Sequence, residues 1–209
     1  MTNIPFREAI LFFEPNPWVR KGLRALIEPK PMRYQFAHSV RGIDTMLKEN
    51  ERQILIMELY NESDNLYDVL RFILTINDFW PKTPLIVFTE VTNASILAML
   101  AAEVHLSLVA KDDPLDCLFE AIVAANRGGE YRSPGIQRAL TQPIEPLSRS
   151  EWRILAMMIT DTNPQRIARV THRSYKTVST HKLNIMRKLG LNQAGFMRLI
   201  LAFRLQHPA

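Results

Sequence analysis

Five times within residues 1–128 a short, almost wholly apolar run is followed by a stretch with apolar residues at helical spacing. That alternation limits what the chain can fold into more than any other feature. EAILFF precedes PWVRKGLRALIE, where Val19, Leu23, Leu26 and Ile27 fall on one helical face. YQFAHSV precedes a helix near IDTMLKEN, and QILIMEL precedes LYDVLRFILTIND. PLIVFT precedes NASILAMLAAE, and LSLVA precedes DPLDCLFEAIVAANR. Strands that are apolar throughout, rather than alternately, fit a sheet buried on both faces. Short connections between strand and helix then require a parallel sheet with helices on each side.

Gly128-Gly129 closes the last of these helices, as glycine does at a helix C-terminus. Pro134, Gly135, Pro143 and Pro146 mark residues 129–146 as a linker, with room for a helical turn at IQRAL. From 147 to 209 the pattern is purely helical. Ser148 and Glu151 form a capping box ahead of EWRILAMMI. Asn163-Pro164 pairs an N-cap with proline at the first helical position and opens the short helix PQRIARV. Ser174 caps a third helix that stops at Gly190, and Asn192 opens a fourth, AGFMRLILAFRL.

Charge divides along the same boundary. Residues 147–209 hold eleven Lys/Arg against only Glu151 and Asp161, a net charge of +9. The preceding residues hold 15 basic and 19 acidic side chains, so that part is net −4. A strongly basic terminal domain attached to an acidic one is the electrostatic footprint of a nucleic-acid-binding protein. Cys117, the single cysteine, cannot form an internal disulfide and reads as a small buried residue in a reducing compartment. The N-terminus lacks the pattern of a signal peptide, and no stretch approaches ~18 consecutive apolar residues. The expectation is a cytoplasmic protein with no membrane partner.

The third C-terminal helix carries the most chemistry. At ~100° per residue, Lys176, Ser179, Thr180, Leu183 and Arg187 fall on one side, and Val178, His181, Ile185 and Leu189 on the other. The second set is a core face, on which His181 is expected to be packed. The first offers short hydroxyls with cations at the margins, which suits a helix lying in a DNA major groove. Ser179, Thr180 and Leu183 are assigned to base edges, Leu183 to a thymine methyl. Lys176, Lys182 and Arg187 are assigned to phosphates, with Lys182 having to reach around the helix edge. Thr177 and Asn184 lie on the flank, within reach of phosphate oxygens. A merely solvated amphipathic helix is the bland alternative.

The segment LSRSEWRILAMMITDTNPQRIARVTHRSYKTVSTHKLNIMRKLG resembles the LuxR/FixJ-type helix-turn-helix of NarL-type response regulators. The likeness rests on Leu147-Ser148 with Glu151, Ile167-Ala168, Lys176-Thr177-Val178, His181-Lys182 and Lys188-Leu189-Gly190. It implies a four-helix domain whose last helix often makes a dimer interface. Asp161 stands where that family usually has glycine in the turn before the second helix, a place aspartate tolerates better than most residues.

With that domain behind it, the β/α part is similar to the receiver domain of response regulators, a flavodoxin-like fold with a five-stranded parallel sheet. In receivers two carboxylates after the first strand hold Mg²⁺ and an aspartate after the third strand accepts phosphate. A hydroxyl and a lysine follow the fourth and fifth strands. Here Glu14 and Pro15 occupy the place of the acidic pair, Glu58 that of the acceptor, and Thr89 and Lys111 the last two. Proline supplies no side-chain ligand to a cation that demands octahedral oxygen coordination. Glutamate is one methylene too long for in-line transfer. The expectation is an unphosphorylated pseudo-receiver with no cofactor and no bound metal. Glu58 either pairs with Lys111, imitating the charge of a phosphate, or is a solvated carboxylate at a strand end. Thr89 is either part of that pocket or a strand-end hydroxyl.

These readings converge on a sequence-specific, phosphorylation-independent transcription regulator that binds double-stranded DNA. It would act as a homodimer or as a heterodimer with a related regulator, as the degenerate pocket resembles auxiliary regulators paired with a phosphorylatable relative. The alternative is an antagonist that binds a related regulator with little DNA contact of its own. An enzyme is not expected. No nucleotide-binding glycine motif, zinc-protease motif or nucleophile elbow occurs, and the five histidines show no metal-ligand spacing. No small-molecule substrate is implied.

Overall fold

The computed structural model describes residues 9–50, 52–59, 66–91, 93–141, 145–160, 163–197 and 200 of the chain. Its first part alternates β1 (Ala9–Phe13), α1 (Pro17–Ile27), β2 (Arg33–Ala37), α2 (Val40–Glu49), β3 (Ile54–Met57), α3 (Leu66–Phe79), β4 (Leu85–Thr89), α4 (Ala94–Glu103), β5 (Leu106–Ala110) and α5 (Asp116–Asn126). All five strands are parallel, in the order β2-β1-β3-β4-β5. This is the five-stranded flavodoxin-like sheet that the alternating pattern implies.

β3, β4 and β5 are buried at every position, β5 even though it is an edge strand, whereas β2 at the opposite edge is partly exposed. Alternate residues serve opposite faces. Ile10, Phe12, Ile54, Ile56, Ile86, Phe88 and Val109 pack under α1 and α5. Leu11, Phe13, Leu55, Met57, Leu85, Val87 and Leu108 pack on the other face with α2, α3 and α4.

One boundary differs from the sequence reading. The run YQFAHSV was expected to stay extended to Val40, but β2 ends at Ala37 and α2 already begins at Val40. The cause is Ser39, whose hydroxyl accepts the Gly42 amide at 3.0 Å and caps the helix. A short apolar run hides such a cap, because Val40 fits either state.

The stretch 129–146, read as linker, contains α6 (Pro134–Leu140). Ser133 is wholly buried, and its hydroxyl accepts the Ala110 amide at 3.0 Å. Arg132 bridges to Leu108 in β5, the Gly135 amide donates to Asp113 at 2.8 Å, and Ile136 is buried. α6 thus lies against α4 and β5.

Three further helices follow, α7 (Arg149–Thr160), α8 (Pro164–Val170) and α9 (Tyr175–Lys188), with residues 193–197 again helical. α7 packs on α8 and α9, and it also meets α3 of the β/α part. The turn at Asp161, residues 1–8 and most of the fourth helix, with any dimer interface on it, lie outside the described residues. No described helix is long and apolar enough to cross a membrane.

Candidate nucleic-acid interface and receiver pocket

The helix-turn-helix is assembled by caps. The Ser148 amide and hydroxyl both donate to Glu151 Oε2, at 2.8 and 3.0 Å, and the Glu151 amide donates back to the Ser148 hydroxyl. Asn163 accepts the Gln165 and Arg166 amides at the start of α8, and Ser174 accepts the Thr177 amide at the start of α9. Between α8 and α9 the chain turns at His172, whose φ is 52°. The His172 amide donates to the Arg169 carbonyl and the Arg173 amide to the Ala168 carbonyl. This is the Schellman pattern that ends a helix at a left-handed residue.

α9 buries Val178 and Ile185 completely. His181 is half-buried, and its Nε2 lies 3.2 Å from the Arg173 guanidinium, so it is packed as its position on the core face requires. On the opposite side Lys176, Thr180, Leu183 and Arg187 are exposed, with Ser179, Thr177 and Asn184 half-buried along the margin. Leu183 is 64% exposed in the middle of this stripe.

Three of the cations expected at phosphates are not equivalent. Lys176 stands at the open N-terminal turn. Lys182 places its ammonium 5.6 Å from the centre of the buried Phe196 ring, on the flank of the helix. Arg187 forks onto Glu145, with its two terminal nitrogens 2.5 and 2.9 Å from the two carboxylate oxygens. That pairing holds the Glu145 carboxyl below its usual range and pushes the guanidinium up. Lys188, not singled out for any role beyond the family likeness, is the cation that closes the domain. It is almost buried, 2.8 Å from Glu151 Oε2 and 3.1 Å from the Pro146 carbonyl. Burial opposes ionisation of Glu151, but Lys188 and Ser148 outweigh it and the carboxyl lies below its ordinary value. Arg169 in α8, Arg173 in the turn and Tyr175 at the start of α9 are exposed as well, and none is assigned to DNA from the sequence, because contacts are read only from the face of α9 centred on Ser179 and Leu183.

A second cluster sits at the C-terminal ends of β1, β3, β4 and β5. There the strand order reverses between β1 and β3, the place where doubly wound sheets form their crevice. Glu14, Glu58, Thr89 and Lys111, expected from separate segments, meet here. Lys111 Nζ lies 2.8 Å from Glu14 Oε2 and 2.8 Å from Glu58 Oε2, with the exposed edge of Glu90 at 3.8 Å. Glu58 Oε1 accepts the Thr89 hydroxyl and the Leu59 amide, and its Oε2 accepts the Glu90 amide. Glu14 Oε1 accepts the Asn16 amide at 2.9 Å. The Phe88 ring lies beneath the ammonium, 5.7 Å away. Glu58 is therefore a buried, paired carboxylate rather than a solvated one, and Thr89 belongs to the pocket.

Burial raises the Glu14 pKa above the ordinary carboxylate value, and Lys111 only partly offsets it. Burial also works against the Lys111 charge, but Glu58 and Glu14 outweigh it and its pKa is raised. Mg²⁺, which receivers hold at this place, does not fit the donor set. Both carboxylates already face the lysine ammonium, and half-buried Pro15 offers no side-chain oxygen. Among the described residues no group of three or more His, Cys, Asp or Glu could hold a metal ion.

Comparison with known proteins agrees with both halves. The family described as bacterial regulatory proteins, luxR family, matches residues 145–194. The transcriptional regulatory protein RcsB of Escherichia coli K12 is 27% identical over 192 residues, covering 87% of this chain and 88% of its own. The nitrate/nitrite response regulator NarP of the same organism is 24% identical over 200 residues, covering 90% of each. A solved structure of two RcsB dimers bound to two parallel DNAs superposes with a TM-score of 0.63 at 24% identity, covering 94% of this chain and 98% of that one.

Proposed function

Because residues 145–194 form a LuxR-family regulatory domain on a chain homologous to the NarL-type response regulators RcsB and NarP, we propose that it is a transcription regulator that binds double-stranded DNA in dimeric form. The observation that carries this reading is the stripe of α9 formed by exposed Lys176, Thr180 and Leu183 with half-buried Ser179, set opposite a face on which Val178 and Ile185 are fully buried. Short polar side chains beside cations on an exposed helix suit a major groove. The relative whose structure contains DNA is itself dimeric. A twofold pair of such helices also doubles the number of base pairs read.

The β/α part is proposed to be a pseudo-receiver, acting without phosphorylation. Lys111 already bridges Glu14 and Glu58, so both carboxylates are engaged by its ammonium and neither stands open to an incoming metal or phosphoryl group. Its remaining use is to bring two chains together, copies of itself or one copy with a related regulator.

Fluorescence anisotropy of the full-length protein on labelled duplexes tests the first part. Binding should weaken steeply with salt, as phosphate contacts demand. A chain that binds no duplex, alone or mixed with a related regulator, would instead act as an antagonist through protein contacts. Incubation with a small-molecule phosphate donor tests the second part: an acyl phosphate on Glu58 or a neighbouring carboxylate would refute it.

A further inference from the structure

We infer that Leu183, with the methyl group of Thr180, reads thymine C5-methyl groups, and that this apolar contact rather than a charged donor sets the sequence preference. The inference rests on the DNA-binding reading above and names what that surface recognises.

The argument is an inventory of what the groove face of α9 has left to offer. Leu183 is its most central side chain, and its neighbours on the helix surface are Ser179, Thr180 and Arg187, at three or four residues' distance. Arginine and lysine are the side chains that read guanine, yet here they are engaged or remote. Arg187 is forked onto Glu145. Lys182 lies over Phe196 on the helix flank. Lys176 stands seven residues earlier, about 10 Å along the axis. Thr180 spends its hydroxyl hydrogen on the Lys176 carbonyl at 2.9 Å, which leaves it no donor for a base edge, only its methyl and an acceptor oxygen. Around Leu183 the groups without a donor already committed elsewhere are therefore its own side chain, the Thr180 methyl and one short hydroxyl, Ser179.

In the major groove only thymine presents an apolar group, the C5 methyl. A leucine and a threonine methyl one turn apart can cover the methyls of neighbouring thymines. They gain nothing from the guanine or cytosine edge, whose donors and acceptors they would leave unpaired.

The test begins with duplexes selected by the full-length protein from a randomised library. Each thymine of the selected site is then replaced by deoxyuridine, which keeps the pairing edge and removes only the methyl. At one or two positions binding should weaken about fourfold per methyl, the value of a buried methyl group. Leu183→Ala should lose a similar factor and become indifferent to deoxyuridine at one of those positions. Its circular dichroism should stay unchanged, since the side chain is exposed. Tolerance of deoxyuridine everywhere, or unchanged discrimination in Leu183→Ala, overturns the inference while leaving DNA binding intact. Failure to bind any duplex overturns both readings.

Discussion

Arg187 at the C-terminal turn of α9 and Glu145 ahead of α7 are joined by two parallel hydrogen bonds, 2.5 and 2.9 Å long, across 42 residues of chain. Lys188 adds its charge to the same carboxylate at 3.7 Å. The geometry is the one a phosphate would adopt on the same two cations. On the proposed DNA-binding reading, Glu145 would compete with the DNA backbone for Arg187.

Replacing it tests that competition. Glu145→Gln should bind every duplex more tightly, by roughly two- to fivefold, as befits an exposed ion pair. Freed Arg187 should steepen the dependence of log affinity on log salt by about 0.9, the release of one counterion. In the Glu145→Gln background Arg187→Ala should cancel the gain, while in the natural chain it should change little. An Arg187→Ala loss equal in both backgrounds would show that Glu145 does not withhold the guanidinium.

Much of this architecture is legible in the residues themselves. Runs such as LIVFT and LSLVA can only be strands buried on both faces, and Ser148, Asn163 and Ser174 announce their helices through their own side chains. The pocket was legible only through the resemblance to receiver domains, which singles out Glu14, Glu58, Thr89 and Lys111; each ends or directly follows a parallel strand, and that is why they meet. What local pattern does not carry is pairing across the fold. Nothing in the sequence near Glu145 marks Arg187 as its partner, and Lys188 looks like any helical lysine until Glu151 and Pro146 close over it. The docking of α6 escaped notice for a related reason: proline and glycine advertise a loop, while Ser133 and Ile136 become buried only through contact with β5 and α4.

The Lys111 cluster predicts a large penalty for breaking it from one side. Lys111→Met leaves Glu14 and Glu58 facing each other without a cation, and should destabilise the β/α part by about 3–5 kcal/mol in urea denaturation at neutral pH. Replacing all three by apolar residues, Glu14→Leu, Glu58→Met and Lys111→Met, should restore much of the loss, since no charge is then left buried. If Lys111→Met alone unfolds at the natural urea midpoint, the ammonium does not bridge the two carboxylates.

The two halves should respond to pH in opposite directions. Glu14 has a raised pKa, so the stability its protonated form supplies is full below 4.5 and is lost as pH rises through the folded value. The Lys111 pKa is raised too, so its contribution is full below 10.5 and is lost as pH rises through its own folded value. Glu151 is lowered, so its contribution is present above 4.5 and is lost as pH falls through the folded value. Acid should therefore loosen the helix-turn-helix before the sheet, and alkali the sheet first. Trp152 is buried in α7 beside Glu151 and reports on the former. In a Trp18→Phe, Trp80→Phe chain, its emission should shift red at a higher pH than the far-ultraviolet ellipticity collapses on acidification. Coincident transitions would show that the two halves lack separate titrating locks.

Three helices end in one hydrogen-bond pattern but not with one residue. α5 and α9 close on Gly128 and Gly190, at φ of 73° and 63°, whereas α8 closes on His172 at 52°. A Cβ in the left-handed region costs roughly 1–2 kcal/mol, part of which glycine returns through the greater freedom of its unfolded chain. His172→Gly should therefore raise the stability of the helical part by up to ~1 kcal/mol, a gain of a few degrees in its melting temperature. Gly190→Ala is the converse. An added Cβ there meets no atom within 4 Å, so its expected loss of about 1 kcal/mol comes from the backbone alone. Differential scanning calorimetry of both variants separates conformation from contact. A lowered melting temperature for His172→Gly would mean that the imidazole contributes more to the turn than its backbone strain removes.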